Sequence, residues 1–310
     1  MRGNYTGGMI TVCGEGLVDL VPMVDVADGV DARVAPLQPA LGGGPFNVAI
    51  ASARQGVPVQ FVSRLSSDGF GSALVDKLKQ EGVDVSLVQR GDEPTTLALA
   101  SRETDGSAHY TFYVEGTADR FVSPPEELVT DIACFGTLSL ALEPGASRLA
   151  GLLRRLSAAG VFVALDPNIR PLCATDSHRA FVRSLLVDVD LLKLSEEEDA
   201  FLDDPQVPVK LITRGSEGIE IVLGKQRLSV PAPTVHVADT IGAGDTVMGC
   251  VLAEIHRLCG GKNVRQQVAG FDLDQWRRIA EFAATAAAIN CTHFGANPPT
   301  REQVNEFIAC

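Results

Sequence analysis

No apolar run in the chain approaches the roughly 20 residues needed to cross a bilayer. The longest stretches, such as residues 282–289, are far shorter, so no membrane span is expected. Cysteines are scattered. The seven of them, Cys13, Cys134, Cys173, Cys250, Cys259, Cys291 and Cys310, are odd in number and lack metal-ligand spacing. They read as reduced thiols in apolar surroundings, as in Ile10-Thr11-Val12-Cys13, and point to a cytoplasmic protein. Basic residues are in deficit: 26 Lys and Arg against 39 Asp and Glu give a formal charge of −13. That balance argues against a broad nucleic-acid or anionic-membrane surface. A single phosphate pocket built from backbone N–H groups needs no net positive charge and stays open. Residues 1–8 are polar and glycine-rich, without the charged head and apolar run of a secretory signal. The P-loop pattern ending in Gly-Lys-Ser/Thr is missing, as are the protein-kinase signatures.

What is present is an ordinary globular balance, 45% hydrophobic and 21% charged over 310 residues, enough to bury a large core. Apolar strand patterns at 9–13, 59–62, 132–135, 161–165, 191–194 and 209–213 alternate with helical patterns at 45–55, 71–81, 146–159, 177–186 and 196–202. This alternation predicts a mostly parallel α/β sheet covered on both faces. Two segments, 31–41 and 95–114, read as extended strands without helices, with Thr104-Asp105-Gly106 as a hairpin turn. With residues 17–21 they would form a small separate sheet over the main one, or else extra strands at its edge. From Gly242 onward helices are expected at 243–258, 274–290 and 301–309.

The strongest local feature is Asp239-Thr240-Ile241-Gly242-Ala243-Gly244-Asp245-Thr246, a glycine-rich turn running into an apolar helix. N–H groups at such a helix start, with the positive end of the dipole, favour an anion. A lone Asp245 would be ordinary helix-end charge stabilisation. Beside a phosphate site it can also accept the proton of an attacking hydroxyl while the amides stabilise phosphate charge. A second glycine run, Gly42-Gly43-Gly44-Pro45-Phe46-Asn47, opens another helix; it lets backbone approach a hydroxyl-rich ligand, or is simply a tight turn capped by Asn47. Asp19 follows the first strand and says little alone.

In this order, Gly14-Glu15-Gly16-Leu17-Val18-Asp19, the Gly42–Asn47 motif and the Asp239–Thr246 motif resemble those of the ribokinase-like (PfkB) carbohydrate kinases over nearly the whole chain. Tyr113-Val114-Glu115-Gly116-Thr117-Ala118-Asp119-Arg120 and Asp166-Pro167-Asn168-Ile169-Arg170-Pro171 look like its fructokinase and 2-keto-3-deoxygluconate kinase branch. The resemblance implies one three-layer α/β/α domain over residues 1–310, with a small β lid from about 17–21, 31–41 and 95–120. It implies Asp245 as catalytic base and Gly242, Ala243 and Gly244 as anion hole. Asp19, Gly43 and Asn47 would hold the sugar, with Arg170 near the transferring phosphate or an acidic group. Lys193, Ser195 and Glu198 fall where the family has Asn-x-x-Glu, which organises magnesium through water; Ser195 replaces the Asn. Without that role, residues 196–199 are an acidic helix start. Thr213 and Gly215 match its nucleotide contacts, and Ala284 and Asn297 would border adenine. Many members also bind a monovalent cation such as K+, here at Asp239 with carbonyls near Ile241 and Gly295.

The expected function is therefore transfer of phosphate from Mg-ATP to a primary hydroxyl of a ketose, fructose first, by a homodimer paired through its lid. The neighbouring substrate is 2-keto-3-deoxygluconate, whose carboxylate would need Arg33, Arg102, Arg120 or Arg170; other sugars or nucleosides follow. Two rivals from other classes are a nonenzymatic sugar or nucleotide sensor and a dinucleotide oxidoreductase. The second fails on the sequence, since Gly14-Glu15-Gly16 lacks the third glycine of that fingerprint and no helix begins there.

Overall fold

The computed structural model describes residues 8–23, 36–102 and 108–309. Residues 31–35, including Arg33, and the turn at 104–106 lie outside them. In chain order the elements are β1 (Ile10–Cys13), β2 (Leu17–Pro22), β3 (Leu37–Gly42), α1 (Gly44–Arg54), β4 (Val59–Ser66), α2 (Gly69–Gln80), β5 (Val88–Gly91), β6 (Leu97–Arg102) and β7 (Ala108–Tyr113). There follow β8 (Ile132–Gly136), α3 (Gly145–Ala158), β9 (Phe162–Asp166), α4 (Asp176–Leu185), β10 (Leu191–Ser195), α5 (Glu196–Phe201) and β11 (Val209–Thr213). The described chain closes with β12 (Ile219–Leu223), β13 (Gln226–Val230), α6 (Ala243–Cys259), α7 (Val264–Val268), α8 (Leu273–Cys291) and α9 (Arg301–Ala309).

Nine strands form one sheet in the order β13-β12-β11-β10-β9-β8-β1-β4-β5. The run from β11 to β5 is parallel, and β12 and β13 add antiparallel strands at one edge. Successive side chains of a strand face opposite ways, and the core divides accordingly. Phe162, Ala164 and Leu191 join Phe46, Val251 and Trp276 on one face, whereas Val163, Leu165 and Leu192 join Leu149, Leu153 and Val182 on the other. The result is the expected α/β/α sandwich. The extended segments do not enlarge its edge. They make a second sheet of their own, β3-β2-β6-β7, whose contact with the body is the cluster of Leu17, Ala98, Val114, Leu138 and Leu142.

Strands β5, β12 and β13 were not expected from the sequence. β5 is short and half-exposed, and β13 alternates buried and exposed residues as an edge strand does, so neither carries the continuous apolar run of a central strand. Among the described residues, no helix is long and apolar enough to cross a membrane.

Two helices set the site. α1 and α6 lie side by side, and their approach is so close that a Cβ on Gly249 would fall 2.6 Å from the Ala51 Cβ and 2.9 Å from the Val48 carbonyl oxygen. Ser52 Oγ also donates to the Gly249 carbonyl at 3.2 Å. Glycine is required there by space, and the contact brings the N-terminal ends of both helices together.

Candidate active site

Chain direction reverses its order across the sheet at β1, which has β4 on one side and β8 on the other. A crevice at the carboxyl ends of strands is expected at such a switch point. A cavity of about 650 Å³ lies there. It is walled by residues that follow β1, β8 and β9, by the carboxyl ends of β10 and β11, by the heads of α1 and α6, and by Leu17, Asp19, Tyr110 and Phe112 of the small sheet.

At the head of α6, Gly242 adopts the left-handed conformation (φ 75°), and a Cβ there would sit 2.5 Å from the Ala296 Cβ. Only glycine meets both conditions. Of the four amides that follow, Ala243 N–H donates to the Thr240 carbonyl at 3.2 Å and Thr246 N–H to the Gly242 carbonyl at 2.8 Å. No acceptor among the described residues faces Gly244 or Asp245 N–H, which leaves two donors at the positive end of a 17-residue helix. Asp245 is buried in that first turn, and its Oδ2 accepts Asn47 Nδ2–H at 2.9 Å. The second oxygen accepts no bond from the described residues and is free for a ligand's proton. Burial raises the Asp245 carboxyl, with Asn47, Lys193 and Arg170 pulling the other way. A more basic carboxylate is a better proton acceptor at neutral pH.

At the head of α1, Gly43 has φ 108°, and a Cβ there would lie 2.9 Å from the Glu15 carbonyl oxygen. Its wall of the cavity is bare backbone. Asp19 projects from β2, and burial pushes its carboxyl up to about 6 despite the charge of Arg170. Raised above its unfolded value, this group's contribution to stability is complete below about pH 4 and lost as pH climbs through about 6. Asp19→Asn is therefore expected to melt at a higher temperature than the parent at about pH 7.5, the gap closing toward about pH 4. Calorimetry across that range reads it; a parent more stable than the variant at neutral pH would rule out the assignment.

Beneath the glycine loop, Lys193 Nζ meets Asp166 Oδ2 at 2.7 Å, both side chains almost wholly buried. Burial opposes the lysine's charge, but Asp166, Glu198 and Asp245 outweigh it and raise its pKa, so it stays cationic. Lys193 shares a strand face with Leu191, the face α6 covers, and lies within 3.3 Å of where a Gly244 Cβ would stand. Ser195 and Glu198 form a capping box at the start of α5: Ser195 Oγ accepts Glu198 N–H at 3.2 Å, and Glu198 Oε2 accepts Ser195 N–H at 2.8 Å. Glu198 Oε1 also accepts Ile169 N–H at 2.5 Å, tying the Asp166–Pro171 segment to α5. The acidic helix start and the cavity carboxylate are thus one feature.

Asp19, Gly43, Asn47, Arg170, Lys193, Ser195, Glu198, Thr213, Gly242, Gly244 and Asp245 all line the cavity. Ala243, Gly215, Ala284, Asn297 and Asp239 do not. Ala284 is 3% exposed in the core, and Asn297 Oδ1 accepts Arg54 Nη1–H at 2.8 Å on the loop that packs on Gly242. Arg54, at the end of α1, also donates to the Pro298 carbonyl at 2.5 Å and pairs with Glu81 at 2.7 Å, which pulls that carboxyl down to about 2. Asp239 accepts Ile241 N–H at 3.1 Å and Gly295 N–H at 2.9 Å. Of the arginines named for an acidic substrate, Arg120 is spent on Glu115, Val114 and Glu143, while Arg170 stands at the cavity rim with no ion pair among the described residues.

Sequence reasoning missed Glu15, Thr137 and Asn168. Glu15 is buried on the cavity wall, where it accepts Ser139 N–H at 3.0 Å and the hydroxyls of Thr137 and Ser139. Thr137 (φ 59°) and Asn168 (φ 42°) are left-handed without being glycine, a strain that gathers at functional sites. An acid directly after a buried strand was the one available signal.

The chain is similar to known proteins over most of its length. The chain is 33% identical over 283 residues to a fructokinase of Rhizobium leguminosarum bv. trifolii, covering 85% of this chain and 84% of that one. It is 32% identical to probable fructokinase-3 of Arabidopsis thaliana, covering 97% and 91%. The crystal structure of a fructokinase with bound ATP from Xylella fastidiosa superposes with a TM-score of 0.87 at 25% identity, covering 97% and 98%. Residues 8–303 match the pfkB family carbohydrate kinase profile: the chain belongs to the pfkB family.

Proposed function

We propose that the chain is an ATP-dependent fructose kinase in which residues 1–310 act as one kinase domain and the small sheet serves as its lid. The carrying observation is the buried Asn47–Asp245 pair at the head of α6, in one cavity with Asp19 and Lys193. The relatives' names support fructose, and the Xylella structure supports ATP as donor.

In this reading Asp19, Asn47 and the bare backbone at Gly43 bind the sugar's hydroxyls. The primary hydroxyl gives its proton to the free oxygen of Asp245 as its oxygen bonds to the γ-phosphorus. The bond from that phosphorus to the bridging oxygen breaks, and its electron pair leaves with ADP. The Gly244 and Asp245 amides and Lys193 stabilise the charge on the phosphate oxygens. Thr213, with Gly215 two residues on, forms the nucleotide side. Closure of the lid, through Tyr110 and Phe112, excludes water.

Magnesium fits the residues present. Each Glu198 oxygen accepts one N–H and keeps a lone pair, and the buried Asp166 Oδ1 has no protein partner. Glu198 would hold the ion's water shell, and the ion would supply charge neutralisation across the phosphates. A monovalent cation does not fit as readily. The Asp239 oxygens keep a lone pair beside the N–H groups they accept, but the Ile241 carbonyl, which a directly bound cation would need as a ligand, is held by Asn290 Nδ2–H at 2.9 Å.

Cytoplasmic location belongs to the same proposal, supported by the free cysteines among the described residues. So does a homodimer through the lid, supported by the exposed Val21, Leu37 and Tyr113. The test is one panel: purified protein with Mg-ATP and fructose, glucose, ribose, 2-keto-3-deoxygluconate or a nucleoside, ADP being read by a coupled assay, with sedimentation for the dimer. Fructose is expected to lead by roughly tenfold in kcat/KM. A lead by 2-keto-3-deoxygluconate would move the specificity to Arg170, and no phosphorylation of any acceptor would leave a sensor with the kinase fold.

A further inference from the structure

Asn290, the last residue but one of α8, is fully buried and bonded at both ends of its side-chain amide. Nδ2 donates to the Ile241 carbonyl at 2.9 Å, and Oδ1 accepts Asn297 N–H at 2.8 Å. The flipped amide would set oxygen against carbonyl and NH2 against N–H, so these partners fix its orientation. They belong to the two loops that meet at the anion hole. Ile241 directly precedes Gly242, and Ala296 packs against Gly242 on the other loop. The Ile241 carbonyl and the Gly242 N–H share one planar trans peptide and point opposite ways. Pinning the carbonyl back toward α8 therefore aims the Gly242 N–H at the cavity that Gly242 lines.

We propose that Asn290 is a positioning residue that does with a protein donor what a monovalent cation does behind such a hole, so that phosphoryl transfer in this chain needs no such cation. A cation there gathers carbonyl and carboxylate oxygens, which turns the adjoining N–H groups outward, and it adds positive charge. Asn290 supplies the first effect, and Asp239 ties the same two loops through Ile241 and Gly295 N–H. The positive end of α6 and Lys193 supply the second.

The inference rests on the kinase reading above, and the experiment separates the two. The full chain is assayed with saturating Mg-ATP and the sugar it phosphorylates, in potassium chloride or in tetramethylammonium chloride of equal ionic strength. The parent rate is expected to agree within about twofold between the salts. Asn290→Asp, which keeps the acceptor and loses the donor, and Asn290→Ala are expected to lose about tenfold or more in tetramethylammonium and to regain part of it in potassium. A merely structural role would lower the melting temperature without creating this salt dependence. A parent that falls more than about tenfold without potassium, or folded variants indifferent to the salt, would overturn the proposal. If no sugar is phosphorylated in either salt the kinase reading fails, and the affinity of a non-hydrolysable ATP analogue in the two salts decides the role of Asn290 by the same criteria.

Discussion

Asp245→Asn is expected to lower kcat about a thousandfold and to leave ATP affinity within a few-fold of the parent. The amide is isosteric, and its oxygen can still accept Asn47 Nδ2–H, so the head of α6 keeps its geometry. What would be lost is the oxygen proposed to take the proton. Burial raises the native carboxyl, so the variant also sheds the cost of burying a charge and is expected to be no less stable. Steady-state kinetics with a parallel binding isotherm checks both halves. Parent-like turnover would remove Asp245 as the base, and loss of nucleotide binding in step with turnover would recast it as part of the nucleotide site.

Lys193→Met should damage both stability and catalysis. Its partner Asp166 has one oxygen with no other hydrogen bond and the other in contact with Nζ at 2.7 Å, at about 5% exposure. Removing one member of a buried pair leaves an uncompensated charge and costs about 3–5 kcal/mol. Lys193 also lies under Gly244, where the phosphate would sit, so transition-state stabilisation is lost as well. The two effects separate in a second variant. Lys193→Met with Asp166→Asn removes the orphaned charge and is expected to recover most of the denaturation midpoint in urea but little of kcat. Recovery of both would make the pair purely structural; recovery of neither would point to lost packing around the lysine stem.

The sandwich was legible because its central strands, such as Ile10–Cys13 and Phe162–Asp166, are buried on both faces and leave continuous apolar runs between amphipathic helices. Edge strands carry no such run, which hid β5 and β13. The glycine-headed turn at Asp239–Asp245 was legible because a left-handed turn and a close backbone approach both demand glycine at Gly242. Glu15, Thr137 and Asn290 were not legible in the same way. Each acts across a distance in sequence, Glu15 with Ser139 and Asn290 with Ile241, and a single chain records neither pairing. Ser195 was the opposite case. Read as a departure from the family's pattern, it proved to be half of a local capping box that needs only residues three apart.

Helix α1 runs from the buried Asp245 to the loop that packs on the head of α6. Its first turn offers Asn47 to Asp245, and its last residue, Arg54, holds the loop at Asn297 and Pro298. Asn47 and Arg54 are seven positions apart in the helix, which at about 1.5 Å each gives a gauge of some 10 Å between the Asp245 contact and that loop. One inserted residue would turn one end by about 100° relative to the other and uncouple them. The distance from the buried aspartate to that loop is thus set by the length of a single helix, so an insertion or deletion within α1 would shift one against the other.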